Sequence, residues 1–347
     1  MHSYNLPSTL LIFLFLLTST CRDVSPSTSE SSPLESTEKR IKVIFDTDAN
    51  NELDDQHALA YLLANGDAFE LLGVTVNATY NGGNIEGHYE EAARILQLFD
   101  RKDSLPLLRG ANGNFDEISP ESDPELFDGK PAVDFMLEQT RRDSVVIIAV
   151  GKLTNVALAL KKDPGLAGRT RIVWLGSNYP EPGEYNQDND TVAMNYLLNS
   201  SIPFEMVTVR YGKPSGTDAV RVTPEEIGRR MPGKGLQATV PITGRHGGEF
   251  ANFGDYSVDL FDHIDLHGDP PARALFDMVA VAILKNPDWG SSRLQPAPVL
   301  IDNQWVERPQ LQRQILIWEN FDKPGVLEDF FRSMEDPIPV MTSPRDE

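Results

Sequence analysis

The chain has 347 residues, 40% of them hydrophobic, and carries 31 Lys and Arg against 52 Asp and Glu for a formal net charge of −21 at pH 7. That length buries a full core and is large for one domain, though α/β domains reach it. The acidity leaves no basic face for nucleic-acid phosphates, and the single cysteine excludes an internal disulfide.

Taken from the N-terminus, the apolar run Leu10 to Leu17 is too short to cross a bilayer but has the length of an export-signal core. Cys21 follows directly. Residues 1–21 are therefore expected to be an export signal of the bacterial lipoprotein kind, with Cys21 lipidated and the protein held in the cell envelope or periplasm. Thr18 and Thr20 depart from the residues usual before such a cysteine, so an ordinary cleaved signal or a mis-called start codon is the alternative. Residues 22–40 are rich in Ser, Thr, Pro and Glu without apolar period, the composition of a disordered tether.

From Ile41 the pattern alternates. Apolar, β-branched runs at Ile41 to Phe45, Leu71 to Val76, Ser144 to Val150, Arg171 to Leu175 and Phe204 to Val209 predict strands. Between them, Asp55 to Leu63 has the spacing of an amphipathic helix, and Tyr89 to Phe99 and Asn155 to Leu160 are helical as well. The expected fold is α/β, a single domain over 41–335 with an open, mainly parallel sheet and helices on both faces, followed by a tail over 336–347. Pro232 to His267, rich in Gly and polar residues, is expected to be a mobile lid or insertion.

The most informative stretch is Asp46-Thr-Asp48-Ala-Asn-Asn-Glu-Leu-Asp54-Asp55, between the first strand and its helix. Four carboxylates in one turn repel one another and need a cation or a shared proton. Loops at the carboxyl ends of parallel strands are where α/β sheets bind ligands, and an all-oxygen donor set suits Ca²⁺ or Mg²⁺. The plainer alternative is a solvated acidic loop with Asp54 capping the helix.

The order of that cluster, then Ala149-Val150-Gly151-Lys-Leu-Thr154-Asn155, then Glu184-Tyr-Asn186 with Asp190, then Phe276-Asp277, resembles the inosine-uridine-preferring nucleoside hydrolase superfamily. The resemblance implies a Ca²⁺ site formed by the carboxylates of Asp48, Asp55 and Asp277 and the carbonyl oxygen of Val150. It implies Asp48 as the base that activates water, and Asp54, Asn84, Asn178, Glu184 and Asn186 as ribose ligands, with Asn81 as the alternative to Asn84. The Glu184-x-Asn186 spacing is expected to place both side chains on one side of an extended segment. The implied reaction is hydrolysis of a ribonucleoside to ribose and free base by a homo-oligomeric enzyme.

The chain departs from the family pattern at three places. The loop from Asp48 to Asp54 is two residues longer, making Asn50 and Glu52 candidate extra ligands. Phe276 replaces a histidine associated with the leaving base, and Lys152 replaces a small residue or proline. His246, His263 and His267 are candidate leaving-group acids in the suspected lid; His57 reads as a helix-surface residue beside the acids, Trp174 as core, and Trp305 and Tyr185 as candidate stacking residues. Two rival functions use the same residues. One is a haloacid dehalogenase-type Mg²⁺ phosphatase with Asp46 as nucleophile; the other is a lipoprotein that binds a nucleoside or sugar without cleaving it.

Overall fold

The computed structural model describes residues 40–119 and 126–341. The expected export signal, Cys21, nearly all of the tether and the last six residues of the tail lie outside the described residues. No helix among those described is long and apolar enough to cross a membrane.

The sheet has eight strands. Six enter first: β1 (Ile41–Thr47), β2 (Phe69–Val76), β3 (Leu107–Arg109), β4 (Val145–Ala149), β5 (Thr170–Leu175) and β6 (Phe204–Val207). Strand Gln314–Glu319 adds parallel to β6, and strand Ser291–Pro296 closes that edge antiparallel. Across the sheet the order is Ser291–Pro296, Gln314–Glu319, β6, β5, β4, β1, β2, β3. The mainly parallel sheet expected from the alternating pattern is present.

Alternation along each strand sends side chains to two separate cores. Val43 and Phe45 of β1, Val146 and Ile148 of β4, and Val173 of β5 pack into one cluster; Ile44, Ile147 and Trp174 pack into the other. Both faces are thus covered by helices, as parallel sheets require. The chain runs β1, β2, β3 to one side and then returns past β1 to lay down β4, β5 and β6 on the other. The point of reversal lies between β1 and β4, and a crevice opens there at their carboxyl ends.

Helix α1 (Asp54–Leu63) is buried at every position and packs against helix Met278–Lys285. The amphipathic expectation fails here because a third layer, not water, meets its outer side. His57 is core, not helix surface: Nδ1 contacts Leu53 O at 2.6 Å, Nε2 contacts Ser257 Oγ at 2.7 Å, and burial lowers its pKa to about 4.

The suspected lid is corrected in part. It includes helix Phe253–Asp262, whose Phe253, Tyr256, Leu260 and Phe261 are buried in the same core as α1. Each such side chain contributes about 1.5–3 kcal/mol on burial, so this helix is structural. The polar Gly-rich sequence around it masked a short amphipathic segment. The ordered fold also runs past residue 335, since Ile338 bridges to Asn65 and the buried Val340 donates its N–H to Leu63 O at 3.0 Å.

Candidate active site

Asp46 and Thr47 end β1 at the reversal point, Asp48 follows directly, and three of the four clustered aspartates meet there with Asp277. Oxygens of Asp54, Asp55 and Asp277 lie within 4.8 Å of one another, and all three residues are buried. Asp48 borders the same cleft, of about 100 Å³, together with Val150, Glu184 and Asn186. Tyr185, Tyr211 and Phe276 supply its aromatic walls.

Asp46 is not part of this cleft. Its Oδ1 accepts from Thr75 Oγ1 at 2.6 Å and Asn155 Nδ2 at 2.8 Å, and Oδ2 accepts from Asn77 Nδ2 at 3.1 Å. Both oxygens are occupied in the interior, so the carboxyl is a structural tie between β1, β2 and the Thr154–Lys162 helix. That removes the nucleophile on which the phosphatase reading depends.

Neighbouring polar groups orient each remaining acid. Thr47 Oγ1 donates to Asp55 Oδ1 in a short hydrogen bond, and Asp48 N donates to the same oxygen at 3.2 Å. Thr79 Oγ1 donates to Asp48 Oδ2 at 2.6 Å. Asn77 Oδ1 is buried without a partner. A Cβ on Gly151 would stand 2.7 Å from that oxygen and 2.8 Å from Asp48 Oδ1, so only a glycine lets the backbone pack this closely against both acceptors. Thr47, Asn77 and Thr79 were missed from sequence. The available signal was Thr75-Val-Asn77-Ala-Thr79, polar residues at period two continuing a buried strand.

Burial dominates the electrostatics. It pushes Asp54 and Asp55 up to about 7, with like charges adding to it, and it raises Asp48 and Asp277 as well. Among the described residues, no lysine or arginine lines the cleft. Oxygen-only donors with no protein countercharge fit a hard divalent cation: of the expected ligands, Asp55 and Asp277 meet here, Asp48 and Val150 border the same cleft, and Asp54, expected on the ribose, joins Asp55 and Asp277 as a residue that could hold the ion.

The expected ribose ligands divide. Glu184 and Asn186 are in the cleft, but not on an extended segment: Glu184 caps helix Tyr185–Asn189 and Asn186 lies in its first turn. The cap forms because Glu184 accepts from Ser177 N at 2.7 Å, Gln187 N at 2.9 Å and Asn186 N at 3.1 Å. Burial outweighs these bonds and pushes its carboxyl up to about 7. Asn186 Nδ2 donates to Val150 O at 2.8 Å and Leu175 O at 3.1 Å, leaving Oδ1 for a sugar hydroxyl.

Asn84 and Asn178 are elsewhere. Asn84 caps helix α2 (Ile85–Leu98), accepting from Glu86 N at 3.1 Å, and borders a separate cavity. Asn178 holds a loop, donating to Gly183 O at 2.6 Å and accepting from Tyr211 N at 3.0 Å. The alternative Asn81 donates its backbone N–H to the Tyr185 hydroxyl at 3.0 Å. Asparagine in a turn often serves its own backbone, and the sequence does not separate that use from ligand binding.

The histidines are not cleft residues either. His246 and His263 stack on each other with ring centres 4.3 Å apart, and His267 borders an adjoining cavity. Lys152 is buried and donates to Asn112 O at 3.1 Å, Gly113 O at 2.8 Å and Asn114 Oδ1 at 3.0 Å, a structural use of the unusual residue. Trp174 is core, as expected, and Trp305 donates to Glu181 O at 3.2 Å; only Tyr185 of the stacking candidates reaches the cleft.

Comparison with known proteins agrees with this architecture. A curated relative from Schizosaccharomyces pombe, described as an uncharacterized protein, is 30% identical over 52% of this chain; the match spans 65% of that relative's length. A plant nucleoside hydrolase superposes with a TM-score of 0.66 at 17% identity, covering 86% of this chain and 99% of the other. The purine-preferring ribonucleoside hydrolase from Gardnerella vaginalis gives 0.63 at 19%, covering 85% and 98%. At those identities the superpositions show a shared fold. The family model described as inosine-uridine preferring nucleoside hydrolase matches residues 43–322, and the chain belongs to that family.

Proposed function

We propose that the protein is an N-ribohydrolase that cleaves ribonucleosides to ribose and free base with Ca²⁺ held at the aspartate cluster. The observation that carries this is the meeting of Asp54, Asp55 and Asp277 with Asp48, Glu184 and Asn186 in one cleft that has no cationic side chain. Cleavage of an N-glycosidic bond builds positive charge on the ribose ring. Carboxylates around that ring stabilise the transition state more than the neutral substrate.

The protein groups divide the work. Thr79 fixes Asp48 Oδ2, and Gly151 lets the backbone pack close to Oδ1. Asp48 takes the proton of a water whose oxygen attacks C1′ as the C1′–N bond breaks, and the base leaves with the bonding electrons and takes up a proton from solvent. Glu184 and the Asn186 amide oxygen accept from sugar hydroxyls and hold the ring. When bound, the divalent cation supplies the countercharge that lets the acids ionise together and makes water easier to deprotonate. The aromatic walls Tyr185, Tyr211 and Phe276 offer a face to any planar base, so nicotinamide riboside is a candidate substrate beside purine and pyrimidine nucleosides.

The test is reducing-sugar release by the full chain from purine, pyrimidine and nicotinamide ribosides, with Ca²⁺ or with chelator, alongside Asp48→Asn. Metal-dependent release lost in the variant supports the reading. Nucleoside binding without release from any riboside would favour a binding protein. The address is a separate proposal: export through residues 1–21 with lipid on Cys21, checked by labelling with a fatty-acid analogue in wild type and Cys21→Ala.

A further inference from the structure

The extra length of the acidic loop has a use other than ligation. Asn50 is committed to one wall: its N–H donates to His88 Nδ1 at 3.2 Å and its Nδ2 to Gly82 O at 2.7 Å. Glu52 is committed to the other, where its carboxylate forms a short ion pair with Nη2 of Arg273. Arg273 is only 7% exposed, its Nε is buried without a partner, and Nη1 reaches Asp265 O at a long 3.4 Å. Glu52 is the sole carboxylate ion-paired with it among the described residues. A buried guanidinium left without that partner is strongly unfavourable, so the pair is a firm anchor.

Its position gives it a consequence. Glu52 comes just before Asp54 and Asp55, while Arg273 sits in the short strand Arg273–Ala274, just before Asp277. The ion pair therefore ties together the two chain segments that supply the cluster. We propose that Glu52 and Arg273 are a positioning pair that sets Asp54 and Asp55 against Asp277 and thereby the affinity of the cluster for a divalent cation. This rests on reading the cluster as a metal centre. The role requires no contact with metal or substrate: Glu52 lines the cleft but gives Oε2 to Arg273, and Arg273 is not among the cleft-lining residues.

The experiment is calorimetric titration of the chelator-stripped full chain with CaCl₂. The variants are Glu52→Gln, Arg273→Gln and the double variant, with Glu328→Gln, which removes the exposed partner of Arg230, as control. Groups that orient metal ligands typically govern about 10- to 100-fold in affinity. Each single variant is expected to weaken Ca²⁺ binding within that range, the double variant to be no weaker than the worse single, and the control to bind as wild type. Should Arg273→Gln fail to fold, Arg273→Lys replaces it, and the partly exposed Glu52 still gives a soluble arm. Unchanged binding by Glu52→Gln, additive losses in the double variant, or weaker binding by Glu52→Gln but not by Arg273→Gln each overturn the pair. Absence of Ca²⁺ binding by the wild-type chain would instead remove the metal centre and the pair with it.

Discussion

Thr79 Oγ1 donates to Asp48 Oδ2 at 2.6 Å, which decides which oxygen of Asp48 is left for water. Hydrogen bonds to ionised groups contribute about 1.5–3 kcal/mol, and about 1.4 kcal/mol is tenfold in rate. Thr79→Val keeps the shape and removes the donor. It is expected to lower kcat by about 10- to 100-fold with little change in KM, because the bond orients a base and does not hold the sugar. Steady-state kinetics on a cleaved nucleoside checks this, and a rise in KM alone would reassign Thr79 to ground-state binding.

The buried acids make stability depend on pH. Ordinary aspartates titrate near about 4, whereas Asp46 is raised to about 6 and Asp54 and Asp55 to about 7, first of all by burial. Between those values the folded protein holds protons that the unfolded chain has released. The contribution to stability is thus full below about pH 4 and is lost as pH rises through the folded values. Chelated protein is expected to melt at a lower temperature near pH 8 than near pH 5.5, with added Ca²⁺ recovering most of the loss at the higher pH. A melting temperature indifferent to pH in chelator would contradict it.

How far sequence reaches is visible in particular residues. The strands, the parallel sheet and the gathering of Asp48, Asp54 and Asp55 at a strand end follow from apolar period and from the rule that ligands bind at strand ends, whereas Asp277 enters only through the family resemblance. Asn84 and Asn178 did not follow, because an asparagine that serves its own loop looks the same in sequence as one that serves a ligand. Asp46 reads as one of the cluster because period two puts it on the same side as Asp48, two residues on. Only the donors Thr75, Asn77 and Asn155, which claim both its oxygens, separate it from the cleft. The use of Glu52 needed Arg273, distant in sequence and invisible to any local pattern.

Asp277 joins two other buried acids, and its own charge is disfavoured by burial and by Asp54, Asp55 and Asp48. Asp277→Asn removes one of the repelling charges at nearly constant volume. In chelator at about pH 8 the variant is expected to melt above wild type, while losing the Ca²⁺-dependent rise that wild type shows. Thermal melts of both proteins with and without Ca²⁺ give the comparison. A variant that Ca²⁺ stabilises as strongly as wild type would exclude Asp277 as a ligand.

Gly151 tests the placement of Asp48. Its backbone is pinned by Trp174 Nε1, which donates to Gly151 O at 3.0 Å, so the residue has little freedom to retreat. A Cβ would lie 2.7 Å from Asn77 Oδ1 and 2.8 Å from Asp48 Oδ1, closer than carbon and oxygen pack without displacement. Asn77 is tied to Asp46 and Asp48 to Thr79, so relief by either side chain breaks a bond that orients it. Gly151→Ala is expected to lose at least about 100-fold in kcat, since a misplacement of about 1 Å at the reacting centre costs that much. Gly168→Ala, where nothing lies within 4 Å of the added carbon, is the matched control and is expected to keep full activity. Loss in Gly151→Ala with folding retained by circular dichroism supports a reaction that depends on the exact placement of Asp48. Full activity would show that Asp48 and Asn77 can shift without cost to the reaction.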